Sequence, residues 1–148
     1  HISQDDLSAM VAYLKTLPAK HEDQPKFVLA EQNVKPEKTA GFDLYRKNCL
    51  ACHGMKGDGN KGKYPELSAN PTVLATNPQS VIRVTLEGSQ HTTVNEKAKR
   101  VAMKDFAEKF SDQDVADIST FIRSNWGNKA PEVTAEEVNK VRDKYIKN

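Results

Sequence analysis

Cys49-Leu50-Ala51-Cys52-His53 constrains this chain of 148 residues more than any other stretch. Cysteines three positions apart project side by side on one helical turn, and the imidazole that follows reaches toward the same side. That spacing is the haem-attachment pattern: the thiols add across the two vinyl groups of a porphyrin and the histidine ligates its iron. Other chemistries use parts of it. A disulfide between the two cysteines is geometrically allowed. A zinc site would need a second ligand pair, and there is no third cysteine. A dithiol oxidoreductase would set the pair after a strand in a βαβ unit. Composition bears on the choice. Hydrophobic residues make up 37% and aromatics 7%, which is poor material for a core. Either a non-protein group completes that core or part of the chain does not pack.

The length suits one domain of ordinary size and not two. Lys+Arg 22 against Asp+Glu 20 leaves a net charge of +2, so charge points to no nucleic-acid partner. The longest apolar runs, such as Met10-Val11-Ala12-Tyr13-Leu14, are far below the roughly 20 residues of a transmembrane segment. Helical periodicity and caps place the elements. Ser3-Gln4-Asp5-Asp6 opens a helix carrying Leu7, Met10, Val11 and Leu14, stopped by Pro18. Residues 18–38, with Pro18, Pro25 and Pro36 among charges, read as a linker. A second helix runs from about Thr39 into Leu50, with Phe42, Tyr45 and Cys49 on one face, and the glycine-rich residues 53–72 form an irregular loop. Asn77-Pro78 supplies an N-cap and a first-turn proline for a short helix with Val81, Ile82, Val84 and Leu86, ended by Gly88. Residues 89–110 read as irregular. Ser111-Asp112 caps a helix facing Val115, Ile118, Phe121 and Ile122 inward and ending near Gly127. Thr134-Ala135-Glu136-Glu137 is a capping box that opens a helix with Val138, Val141 and Tyr145 on one stripe. That stripe is narrow, which suits a packing surface or a tether to a partner rather than a membrane anchor. The chain reads as all-α.

Residues 3–16 align with 111–124: Ser3 with Ser111, Asp6 with Asp114, Leu7 with Val115, Met10 with Ile118, Tyr13 with Phe121, Leu14 with Ile122. Two unrelated amphipathic helices would give this, and so would residues 1–17 as the last helix of a preceding homologous domain. The opening His1-Ile2-Ser3, with no initiator methionine and no signal segment, reads as a piece of a longer, processed protein.

Met103, far downstream in Val101-Ala102-Met103-Lys104-Asp105-Phe106, is the candidate sixth ligand. A thioether paired with histidine raises the iron's potential, as electron transfer needs. Met103 as a core gap-filler is the alternative, and His91 competes for the same position. Met55 is too close to His53 to reach the other face of a haem, Met10 belongs to the first helix, and His21 reads as a solvated linker residue.

The layout resembles a class I cytochrome c domain: Gly41-x-x-x-Tyr45, the Cys49 to His53 motif, a glycine-rich loop, a distal Met and an aromatic-bearing last helix. More narrowly, Tyr64-Pro65-Glu66-Leu67, Asn70-Pro71-Thr72-Val73-Leu74, Val81-Ile82-Arg83-Val84 and Phe121-Ile122-Arg123-Ser124-Asn125-Trp126-Gly127-Asn128 resemble the C-terminal domain of triple-haem cytochrome subunits of bacterial membrane-bound dehydrogenases acting on alcohols, gluconate or sorbitol. The resemblance implies a class I cytochrome c fold with helices packed round one covalent haem c. Its domains would be a remnant helix at 1–17, a linker at 18–38, a monohaem domain at 39–128 and a C-terminal extension at 129–148. It implies that the Pro65 carbonyl accepts the Nδ1–H of His53, and that Arg83 pairs with a haem propionate unless it is a surface arginine. Trp126 would pack on the haem edge or donate to a propionate, or else be ordinary core, and Tyr64 has the same choice. Gly41 would let the first and last helices cross closely against Phe121. One departure stands out: Lys104 follows Met103 where the family commonly has proline, which loosens the methionine loop.

The expected function is one-electron transfer, with no catalysis in this chain. Its partners would be a dehydrogenase subunit, further cytochrome c domains of the same chain, and quinone or a terminal oxidase, with no nucleic acid. Because haem attachment of this kind occurs outside the cytoplasm, the expected place is the periplasm or the periplasmic face of the inner membrane. A labile Met103 would instead favour peroxidase or gas-binding chemistry, and a purely structural fusion domain would keep the fold without a useful potential.

Overall fold

The computed structural model describes residues 3–17, 39–60, 63–89 and 102–146. They form α1 (Gln4–Thr16), α2 (Ala40–Asn48), α3 (Leu50–His53), α4 (Pro71–Leu74), α5 (Gln79–Glu87), α6 (Asp112–Ser124) and α7 (Ala135–Tyr145). No strand forms among the described residues; only the isolated bridges Asn60–Tyr64 and Ser89–Met103 do. The fold is all-α. None of its described helices is long and apolar enough to cross a membrane. The expected linker at 18–38 and His91 lie outside the described residues.

Local caps decide most boundaries. Ser3, Ser111 and Thr134 each accept a backbone N–H three residues on, and Asp6, Asp114 and Glu137 return the bond to the cap's own N–H. Three details differ from the sequence reading. The helix expected from Thr39 into Leu50 breaks at Cys49, which ends α2 and begins α3. Within the stretch read as loop and just beyond it, Asn70 caps the short helix α4, with Pro71 in its first turn. Asn77 does accept a helix N–H, from Gln79, but Pro78 takes the capping position rather than the first turn.

The core lies where α2 crosses α6. A Cβ on Gly41 would meet the Asp117 carbonyl and come within 2.8 Å of the Phe121 Cβ, so the helices approach only because residue 41 has no side chain. Around that crossing, Tyr45, Phe121 and Trp126 pack with ring centroids 5.2–5.3 Å apart. α7 buries Val138 and Val141 against α5 and α6, so the C-terminal extension belongs to this domain's own packing. α1 differs. Among the described residues it packs against no other helix. Met10, Tyr13 and Leu14 are 52–65% exposed, whereas their counterparts Ile118, Phe121 and Ile122 are buried.

Gly41→Ala should destabilise the domain by about 3 kcal/mol, since backbone and not a flexible side chain blocks the new methyl. Urea unfolding checks this through a lowered midpoint at unchanged slope; a midpoint like the wild type's would contradict the close crossing.

Candidate haem-binding site

His53 is the last residue of α3 and is buried. Its Nδ1–H donates to the Pro65 carbonyl at 3.0 Å, which leaves Nε2 as the atom with a free lone pair. Burial lowers the imidazole's pKa, partly opposed by the Pro65 bond, so the ring is held neutral, the form that ligates metals.

The Pro65 carbonyl is itself held. Gly59 lies beneath it at φ 59°, where a Cβ would come within 2.6 Å of both the Tyr64 and Pro65 oxygens. The Gly59 N–H donates back to His53 O at 2.9 Å, and Asn60 and Tyr64 exchange backbone bonds of 3.0 and 2.9 Å. Core residues fasten the rest of the 54–70 loop. The Tyr45 hydroxyl donates to Gly54 O at 2.7 Å and the Trp126 indole to Met55 O at 2.9 Å. The Asn128 amide donates to Leu67 O and Ile122 O, while its oxygen accepts the Ala69 N–H. Ala69 and Trp126 adopt positive φ of 53° and 54°, strain that such over-determined contacts can sustain.

Met103 sits on a second support. It exchanges two backbone bonds with Ser89 (3.0 and 3.1 Å), and the N–H groups of Phe106 and Ala107 both donate to Leu86 O at the end of α5. Gly88, φ 70°, makes the close turn between these segments; a Cβ there would lie 2.8 Å from the Asp105 nitrogen.

The 54–70 loop, the strap of residues 102–110 that carries Met103, and the helices enclose one cavity of about 420 Å³, within the range of ligand sites. Cys49, Cys52, His53, Tyr64, Pro65 and Met103 all line it, with Val73, Val81, Phe106, Ile118 and Ile122 among its walls. The two cysteines are free thiols and are not joined to each other. Burial, and then Cys52, push the Cys49 thiol up to about 11, so it stays protonated. Among the described residues no cluster of His, Cys, Asp and Glu could hold a bare metal ion, so a zinc site has no second ligand pair here.

Six of the eight site residues expected from sequence thus meet at one cavity, and two do not line it. Arg83 lies on the exposed face of α5: it pairs with Glu87 at 2.8 Å and stacks on the Tyr145 ring of α7 at 4.5 Å. Trp126 is packed between Tyr45 and Phe121, with its indole N–H on the Met55 carbonyl. Sequence reasoning missed Asn128, although it ends the string that carries Trp126. It also missed Arg123, wholly buried, whose guanidinium donates to the carbonyls of Val73, Ala75 and Pro131 at 2.7–3.0 Å. Arg123 thereby anchors the wall that carries Val73. Nothing local distinguishes a buried arginine from an exposed one on such a helix.

The cytochrome c family model matches residues 39–126, the stretch that builds this cavity. The chain belongs to the cytochrome c family. It is 37% identical over 152 residues to the cytochrome c subunit of a quinone alcohol dehydrogenase of Gluconacetobacter polyoxogenes, spanning 97% of this chain and 32% of that one. It is 33% identical over 149 residues to the gluconate 2-dehydrogenase cytochrome c subunit of Pantoea cypripedii, spanning 96% and 34%. A fructose dehydrogenase cytochrome subunit of Gluconobacter japonicus is 29% identical over 163 residues, spanning 96% and 34%. The chain therefore spans about a third of the length of these relatives. A cytochrome c domain carries covalently bound haem c. The residues present fit that group: two free thiols and a neutral imidazole face one largely apolar cavity.

Asn128→Ala should cost about 2–3 kcal/mol, because it strands several partly or fully buried backbone groups at once. Urea unfolding of the haem-loaded protein tests this, and a loss under about 0.5 kcal/mol would mean that the 54–70 loop does not depend on Asn128.

Proposed function

We propose that this domain is a one-electron carrier that would hold a single haem c through Cys49 and Cys52, with His53 and Met103 as the residues that would ligate its iron. The observation that carries this is the shared cavity: His53, Met103 and both thiols line the same apolar space. Bound haem c supplies an iron that alternates between ferric and ferrous states. His53 contributes a ring oriented by the Pro65 carbonyl, a partner that also makes the imidazole a better ligand. Met103 contributes a soft thioether that favours ferrous iron. Val73, Val81, Phe106, Ile118 and Ile122 keep water away, which favours the less charged oxidation state.

By analogy with the named relatives, the full protein takes electrons from a dehydrogenase and relays them to quinone or a terminal oxidase, on the periplasmic side of the inner membrane. The domains are read as 39–128 for the haem unit and 129–148 for its extension, with 1–17 as the last helix of a preceding cytochrome c domain. For α1 the support is its capping box, which repeats that of α6, and its uncovered apolar face. Peroxidase or gas-binding chemistry would need Met103 to leave readily. The four backbone bonds from Ser89, Met103, Phe106 and Ala107 that hold its strap favour the carrier.

Met103→Ala should open the sixth position, so that the ferrous protein binds carbon monoxide. The reduction potential should fall by on the order of 100 mV, part of the roughly 0.8 V over which axial ligands set haem potentials. Potentiometry and a carbon monoxide titration read both. An unchanged potential without carbon monoxide binding would remove Met103 from the iron.

A further inference from the structure

We propose that α7 is a clasp on the strap that carries Met103, and that Arg142 is the positioning residue through which it acts. This rests on the reading of Met103 as an iron ligand. α7 lies beyond residue 126, where the match to the family ends, and its packing brings one guanidinium onto the far end of the strap. Arg142 Nε donates to Asp112 Oδ1 at 2.6 Å, Nη1 to Ala107 O at 2.6 Å and Nη2 to Phe110 O at 2.8 Å. Its side chain is only 13% exposed, so these charge-assisted bonds are poorly replaced by water. Asn139, also on α7, donates to the other Asp112 oxygen at 3.0 Å.

The residues so held are the strap's anchor. Phe106 and Phe110 stack at 4.9 Å with rings nearly parallel, and both are buried. Phe106 lines the cavity beside Met103. No proline stiffens residues 102–110, so the strap takes its rigidity from what it is bonded to. α7 also grips the strap's other support: Gln79 of α5 donates to the Tyr145 hydroxyl at 3.1 Å, and Arg83 of α5 stacks on the Tyr145 ring. The end of α5 provides the Leu86 carbonyl that binds Phe106 and Ala107, and Ser89 just beyond it pairs with Met103. One short helix thus ties together both segments that fix the methionine.

A strap released at its anchor frees Met103 more often, and an external ligand then binds tighter in proportion to the open population. Imidazole titrated into the ferric, haem-loaded protein reads that population. Arg142→Gln should bind imidazole at least tenfold more tightly than the wild type while keeping its helix content by circular dichroism. Arg142→Lys, which keeps a charge near Asp112 but gives up the fork, should gain less. Lys140→Ala should bind like the wild type, because Lys140 pairs with the exposed Glu136 on its own helix and not with the strap. Wild-type affinity in folded Arg142→Gln overturns the clasp; should that variant not fold, Arg142→Lys decides in its place. Met103→Ala separates the two readings. Wild-type affinity there removes Met103 from the iron and the clasp's purpose with it. Much tighter binding there, with unchanged affinity in the Arg142 variants, rejects the clasp alone.

Discussion

The bond from His53 to the Pro65 carbonyl is the constraint on which the rest of the site depends. A histidine can place its Nε2 lone pair only if its other nitrogen is held by a fixed acceptor, and here that acceptor belongs to a loop with no regular structure. The loop must therefore be immobilised from outside. Tyr45 holds it at Gly54, Trp126 at Met55 and Asn128 at Leu67 and Ala69, and Gly59 makes room beneath the Pro65 carbonyl. The residues that make the α2–α6 core are thus the residues that aim the imidazole: Tyr45 and Trp126 pack in the aromatic cluster and bond the loop. Stability and the orientation of the imidazole share one set of contacts.

The thin apolar composition has its explanation in the same arrangement. A chain with 37% hydrophobic residues spends its apolar side chains on two layers, the α2–α6 crossing and the α7 contact. Between the motif and the Met103 strap it leaves an apolar cavity of about 420 Å³. An empty apolar space of that size would cost stability in proportion to its volume. A covalently held macrocycle turns that deficit into packing.

What was legible in the sequence was what is local. Ser111 with Asp114, and Thr134 with Glu137, carry their capping boxes within four residues, so α6 and α7 begin where their sequences say. Cys49, Cys52 and His53 are close in the chain, and one turn of helix brings them together without help from the fold. Met103 stood out because few methionines compete with it. The misses are tertiary. The break at Cys49 and the short α4 depend on how the loop is anchored, not on periodicity. Arg83 turns to Glu87 and to Tyr145 on a helix more than fifty residues away, a partner that no local pattern announces. Asn128, Arg123 and Arg142 act through backbone carbonyls distant in sequence, and carbonyls leave no signature in residue type. Trp126, expected either against the haem or in ordinary core, packs in the aromatic cluster with Tyr45 and Phe121, and its indole donates to the Met55 carbonyl.

In the proposed carrier a thioether from Met103 and the imidazole of His53 hold the same iron. Iron-edge X-ray absorption on the ferric, haem-loaded protein addresses it most directly, since sulfur and nitrogen scatter distinguishably in the first shell. One sulfur should be bound to iron in the wild type and lost in Met103→Ala. A first shell of nitrogen alone in the wild type, as two histidines would give, or an iron lacking a sixth ligand, would contradict it.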